Sequence, residues 1–166
     1  MTIARKLLAL AAVLFATFLP ARPAAAGDGD WWSNVSISPY GAATHPNLGA
    51  PVYGAGLDVG YFINRTVSIH LAALANQPDG WRGAVIDETS FLFRADLIRS
   101  SKERFVAYLL GSGDRAWGRD DWAFGAGIGA EVRLSKNVSV GADSRLRAWF
   151  NEPKDVQTRV FGSFRF

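Results

Sequence analysis

The chain has 166 residues, 49% hydrophobic and 13% aromatic, with no cysteine. That is one domain's length, and it excludes both a disulfide scaffold and a lipid-carrying cysteine anchor. The formal charge of +3 is carried by the first 26 residues, where Arg5, Lys6 and Arg22 stand without an acid; taking these three from 18 Lys+Arg leaves 15 against 15 Asp+Glu. A neutral remainder gives no basic surface for nucleic acid.

Residues 1–26 read as a cleaved secretory signal peptide of the Sec type. Arg5 and Lys6 form its basic start, Leu7 to Leu19 its apolar stretch, and Ala24-Ala25-Ala26 a cleavage site before Gly27. The apolar run of about 13 residues falls short of the roughly 20 that a membrane-spanning helix needs. Residues 27–166 are then the mature domain. Without disulfides it must be held by a sizeable core or by a membrane.

Eight stretches of alternating character follow. Trp31 to Gly41 sets Val35, Ile37 and Pro39 against Asn34, Ser36 and Ser38. Val52 to Ile63 sets Tyr53, Ala55, Leu57, Val59 and Tyr61 against Gly54, Gly56, Asp58, Gly60 and Phe62. Thr66 to Ala75 shows Val67, Ile69, Leu71 and Ala73 on one face, and Ala84 to Ile98 sets Val85, Phe91, Phe93, Ala95 and Leu97 against Glu88, Ser90, Arg94 and Asp96. Arg104 to Gly111 is more uniformly apolar. Trp122 to Leu134 and Val138 to Phe150 alternate again, with Glu131, Arg133, Asp143, Arg145 and Arg147 on their polar faces. The last stretch, Gln157 to Phe166, puts Thr158, Val160, Phe164 and the terminal Phe166 on one face and Arg159 and Arg165 on the other. Period-two alternation predicts strands with two unlike faces.

The connections alternate too. Those at 64–65, 99–103 and 135–137 are short, and those near 42–51, 76–83, 112–121 and 151–156 are longer and rich in turn residues. This pattern predicts an all-β fold, an eight-stranded antiparallel up-and-down transmembrane β-barrel, with both ends on the short-turn side.

Two features orient the faces. Seven strand glycines lie on the polar face (Gly54, Gly56, Gly60, Gly125, Gly127, Gly129 and Gly141). There they cost stability if solvated, but make room inside a narrow barrel. The same face collects Asp58, Glu88, Asp96, Glu131 and Asp143 with Arg94, Arg133, Arg145, Arg147, Arg159 and Arg165, while Lys102, Lys136 and Lys154 fall in connections. Arginine forks suit buried bidentate carboxylate pairs, so the polar face is read as a lumen charge network and the apolar face as lipid-facing. Aromatic residues gather at strand ends: Trp31, Trp32, Tyr61, Phe105 and Phe166 at one, Tyr40, Tyr53, Trp122, Trp149 and Phe150 at the other, as two interfacial girdles.

Residues 31–166 therefore resemble the small eight-stranded outer-membrane barrels of the outer-membrane protein A-like family. Thr158, Val160, Phe164 and Phe166 resemble the C-terminal assembly signal of outer-membrane barrels. The resemblance implies an outer-membrane location in a Gram-negative-type bacterium, periplasmic termini, periplasmic chaperones and the barrel-assembly machinery as partners, and a monomer. The chain stops at the barrel, so the peptidoglycan-binding role of two-domain relatives is not implied.

Chemistry is sparse. Ser68 and His70 share an inward face that Asp58 could approach, a trio open to a Ser-His-acid reading or to simple lumen filling. Their order differs from the His-x-Ser arrangement of the known outer-membrane deacylases. His45 has no metal-ligand partner at useful spacing, Gly125, Gly127 and Gly129 lack the following helix of an anion site, and no cofactor motif occurs. Three functions remain. The first is a non-enzymatic structural or surface-interaction barrel, its lumen plugged by ion pairs or at most a narrow pore, with Trp81, Arg82, Trp117 and Arg119 as loop contacts to lipopolysaccharide or a partner. The others are a lipid A or phospholipid-modifying enzyme, and a soluble lipocalin-like binder to which Gly29-Asp30-Trp31 points.

Overall fold

The computed structural model describes residues 34–64, 66–76, 86–100 and 104–166. The leader at 1–26, Trp31, Trp32, Trp81, Arg82 and Lys102 lie outside them.

Eight strands follow one another: β1 (Val35–Pro46), β2 (Val52–Phe62), β3 (Val67–Asn76), β4 (Glu88–Arg99), β5 (Phe105–Ala116), β6 (Asp121–Arg133), β7 (Val138–Trp149) and β8 (Asp155–Arg165). Each pairs antiparallel with its neighbours in the chain, and β8 closes on β1 to complete a barrel. Closure leaves no unpaired edge. The strands run 10 to 13 residues, enough to cross a hydrocarbon layer at a tilt.

The alternation sorts the side chains into an inverted protein. Among the described residues, 19 polar or charged side chains are buried against 13 hydrophobic ones, while 25 large hydrophobics are exposed. The exposed set forms the outer wall, including Leu57, Leu71, Phe91, Leu109, Ile128, Leu146 and Val160. The interior has an apolar portion of its own. Tyr40, Ala42, Ala72, Leu74 and Leu92 pack together, Val106, Tyr108 and Leu110 form a second group, and Phe161 touches both. The inward face of β5 supplies that second group, which is why Arg104 to Gly111 reads as apolar throughout.

Several boundaries differ from the sequence reading. β1 runs on to Pro46, β8 starts at Asp155, and β5 continues through Ser112, Gly113, Asp114 and Arg115 to Ala116. Asp114 is fully buried in the lumen. The polar stretch expected as a loop at 112–121 is thus mostly strand, because an inward strand face is as polar as a loop. Three of the four upper connections, 47–51, 117–120 and 150–154, are no longer than the lower ones by more than a residue; only 77–87 is long. The girdles also change. Tyr61, Phe105, Phe166, Tyr53, Trp122 and Phe150 stand outside, but Tyr40 and Trp149 are buried in the lumen. Both sit on inward parity, with Ser36 and Ser38 on β1 and with Arg145 and Arg147 on β7, and parity outranks their aromatic character.

β4 breaks the period once. The ladder with β5 pairs Asp96 with Tyr108 and Ile98 with Ala107, leaving Leu97 as a bulge. The extra residue lets Leu97 and Ile98 both face outward and returns Arg99 to Asp96 inside.

Four inward glycines face inward rings. A Cβ at Gly56 would strike the Tyr40 ring, at Gly60 the His70 ring, at Gly129 the Tyr108 ring and at Gly141 the Phe161 ring. A Cβ at the outward Gly162 would meet nothing. Gly56→Val is therefore expected to lower stability by about 1–3 kcal/mol through overpacking, whereas Gly162→Ala should change it by less than about 0.5 kcal/mol. Urea titration of the folded, heat-modifiable gel band compares the two.

Candidate functional site: the lumen charge network

The barrel's chemistry lies in its interior, in three tiers. At the upper tier, away from the chain ends, Arg147 is the anchor and is entirely buried. Its Nε and Nη2 donate to the two oxygens of Asp155 at 2.7 and 2.9 Å, and its Nη1 crosses the lumen to Glu88 at 2.6 Å. Trp149 Nε1 donates to Asp155 at 2.7 Å. Arg145 donates through Nη2 to Gln157 at 2.6 Å and to Ser90 at 3.0 Å, and ion-pairs Asp114 at 2.9 Å. Asp114 also accepts from the hydroxyls of Ser90 and Ser112. Arg119 closes the mouth, 4.2 Å from the Trp149 ring centroid and ion-paired with Glu152 and, at 3.7 Å, Glu88.

In the middle tier Arg159 donates bidentately to Asp143 at 2.8 and 2.7 Å and reaches Asp58 at 3.3 Å. Below it, Arg94 bonds Asp96 at 2.9 Å and Glu131 at 2.6 Å and stacks on the Tyr108 ring at 3.8 Å. Arg99 joins Asp96 at 2.6 Å, and Arg133 and Arg165 each approach Glu131 at 3.9 Å. Arg165 also lies over the Phe62 ring. Asp58, Glu88, Arg94, Asp96, Glu131, Arg133, Asp143, Arg145, Arg147, Arg159 and Arg165 all take part in these contacts. The network also includes Asp155, Asp114, Arg99, Ser90, Gln157 and Trp149, which the sequence reading left out. Asp155-x-Gln157-x-Arg159 continues the parity of β8, so its signal was present; Asp114 and Arg99 were hidden by the misread loop and by the bulge.

The contacts are of two kinds. Between β7 and β8 they follow the ladder: Arg147, Arg145 and Asp143 stand opposite Asp155, Gln157 and Arg159. Others span the lumen, from β7 to β4 (Arg147–Glu88), β8 to β2 (Arg159–Asp58) and β4 to β6 (Arg94–Glu131). Among the described residues the lumen holds a cavity of about 20 Å³ bordered by Ser36, Asp58, His70, Arg94, Tyr108, Glu131 and Arg159. It has room for about one water, which Ser36 Oγ and Glu131 Oε1, neither of them hydrogen-bonded within the protein, could use.

Ser68, His70 and Asp58 do come together. Ser68 Oγ lies 2.8 Å from His70 Nε2, and His70 Nδ1 lies 2.7 Å from Asp58 Oδ1. The distances match a catalytic relay, but the surroundings do not. Ser68 is 1% exposed. β3 is paired on both sides of it, with Phe62 and Arg94, so the nearby backbone N–H groups are held in the ladder and none is left to stabilise an oxyanion. Asp58 is shared with Arg159. The trio is an extension of the middle tier.

His45 Nδ1 lies 3.2 Å from the Gly49 carbonyl oxygen, and no metal-binding group occurs among the described residues. Gly125, Gly127 and Gly129 lie within β6, clear of any helix. Thr158, Val160, Phe164 and Phe166 all face outward at the closing seam.

No family model and no curated protein matches the sequence. Solved structures do match in fold. Neisserial surface protein A (NspA) superposes with a TM-score of 0.52 at 18% identity, over 80% of this chain and 96% of that one. The N-terminal β-barrel domain of Pseudomonas aeruginosa OprF gives 0.54 at 12% identity, over 79% and 97%. A de novo designed transmembrane β-barrel gives 0.53 at 9%, over 79% and 95%. The chain has the architecture of eight-stranded outer-membrane β-barrels.

Arg147→Leu leaves Asp155 buried without a counter-charge and Glu88 with only the longer Arg119 contact, and is expected to cost about 3–5 kcal/mol. Urea unfolding in vesicles measures it; a loss under about 1 kcal/mol would show that water already screens this tier.

Proposed function

We propose that this chain is a monomeric integral outer-membrane protein of a Gram-negative-type bacterium, with a structural or surface-interaction role. In this reading the leader at 1–26 directs export, periplasmic chaperones deliver the chain, and the barrel-assembly machinery recognises Thr158, Val160, Phe164 and Phe166. Both ends then lie in the periplasm. The observation that carries the reading is the inversion: a continuous apolar outer wall around an interior filled by ion pairs.

The same filling supports a plug over a pore. An ion crossing the lumen must part Arg147 from Glu88 and Arg159 from Asp58, each buried in a side-chain-wide interior. It also weighs against a lipocalin-like binder, since the lumen cavity beside Asp58, His70 and Arg159 has room for about one water. The lipid-modifying alternative rests on the Ser68–His70–Asp58 geometry, which a substrate cannot reach at Ser68. The surface role falls to the upper rim. Arg119 is committed to the mouth, so Trp117 is the described loop residue best placed for an outside contact, with Trp81 and Arg82 on the long connection.

Fractionation should recover the protein in the outer membrane as a heat-modifiable band; recovery from the soluble periplasm would overturn the reading. Deleting Phe166 should reduce the assembled fraction. In planar bilayers the intact barrel is expected to show no sustained open level, and Arg159→Ala, which frees space in the middle tier, should introduce openings. A fluorophosphonate probe should leave Ser68 unlabelled; labelling lost in Ser68→Ala would establish the enzyme instead.

A further inference from the structure

Among the described residues, the outer wall carries a cation near the upper rim that the lumen network does not use. Arg115 is an outward residue of β5, between Thr89 of β4 and Trp122 of β6 in the ladder. Its guanidinium lies 4.9 Å from the Trp122 ring centroid and 5.6 Å from that of Trp117. Trp117 is folded back onto the wall, its Nε1 donating to Thr89 Oγ1 at 3.2 Å. Asp120, a largely exposed residue of the 117–120 turn, ion-pairs Arg115. A cation between two tryptophans thus stands at the border between an apolar wall and a polar rim.

Directly below, the next outward positions of β5 are Gly113 and Gly111. The ladder puts Gly113 between Phe91 and Phe124, and Gly111 between Phe93 and Ala126. The wall therefore has a furrow one strand wide, with sides two interstrand spacings apart, about 10 Å. The inward glycines give way to neighbouring rings, but a Cβ at Gly111 or Gly113 would meet nothing within 4 Å. The barrel's own packing does not call for glycine there. A strand glycine often marks a bulge, a bend or the close approach of a ligand; Gly41 and Gly162 stand equally open, but Gly113 and Gly111 line up on one strand directly beneath Arg115.

We propose that this furrow binds one phosphorylated lipid of the outer leaflet, its phosphate on Arg115 and one acyl chain along Gly113 and Gly111. The proposal rests on the membrane reading above. Arginine's planar fork suits a phosphate, and tryptophan rings sit at the level where head groups meet acyl chains. Asp120 holds the guanidinium between lipids and competes with the phosphate for it. Free phosphate would use the cation and leave the furrow without a purpose, whereas a lipid uses both. A protein partner would have to press against the apolar wall below Arg115, a face that lipid already covers in the membrane reading.

The test uses the full mature barrel in phosphatidylcholine vesicles containing a minor fraction of phosphatidic acid, with retained lipid counted by native mass spectrometry. The wild type should keep one phosphatidic acid in preference to phosphatidylcholine. Arg115→Gln should reduce that preference about tenfold, as expected for loss of a charge-assisted contact. Asp120→Asn keeps a residue tolerant of the positive φ of 53° at this site and should raise the preference by up to about fivefold, the range of an exposed ion pair. Gly113→Leu should displace both lipids, and Gly41→Leu, at an open outward position on β1, should displace neither. Equal retention of the two lipids, or an unaltered Arg115→Gln variant, overturns the lipid site. Arg115-dependent binding of inorganic phosphate as strong as that of the lipid would replace it with a simple ion site. Failure of the chain to enter the vesicles as a heat-modifiable band would overturn the membrane reading itself, which separates the two failures.

Discussion

Everything in this barrel follows from the width of its interior. Eight strands enclose a space that side chains alone can fill, so each inward position must fit its neighbours in volume and each inward charge must find a partner. The solution is arginine. Its long stem reaches across the lumen, as Arg147 does to Glu88 and Arg159 to Asp58, and its fork can hold a second carboxylate on the adjacent strand at the same time. Lysine, a single point charge, cannot bridge two carboxylates in this way. Glycines complete the fit by leaving space for the rings of Tyr40, Tyr108, His70 and Phe161.

Such pairs are weak evidence for stability, because desolvating both partners can cost as much as their attraction returns. Their stronger effect is on register. A slip of one residue would turn every inward charge of a strand toward the outer wall. Between β7 and β8 the opposition of Arg147, Arg145 and Asp143 to Asp155, Gln157 and Arg159 holds in only one alignment. The bulge at Leu97 serves the same end on β4, keeping two apolar residues outside and Arg99 with Asp96.

Much of this was legible in the sequence because parity is a local property. Asp58, Arg94, Glu131 and Arg145 could be placed inside by counting twos, and the terminal Phe164 and Phe166 outside by the same count. Three things were not legible. Partners across the lumen, such as Arg94 with Glu131, are set by closure of the sheet, which no local pattern records. The continuation of β5 through Asp114 looked like a loop, since composition cannot distinguish water from an enclosed polar lumen. Trp149 and Tyr40 were assigned by chemical type to an interface, whereas their parity with Arg147 and Ser38 puts them inside, where Trp149 finds Asp155.

The closing strand shows why parity and charge must agree. β8 supplies Asp155 and Gln157 to the arginines of β7, and Arg159 to Asp143 and Asp58, so three of the four strands of the β7–β8–β1–β2 seam share its ion pairs. Until β8 is in place, Arg147 lacks its bidentate partner and Asp143 has no cation within reach of a bidentate bond. Those charges can stay in water while the seam is open. As β8 joins β1, from Ser36 opposite Arg165 to Pro46 opposite Asp155, water leaves and the charges must pair in the same movement. Closure at β8 and neutralisation of the charges along this seam are therefore one event. An outward row of apolar residues on β8 alone would bring the strand to the lipid, but the inward row decides whether the barrel can shut.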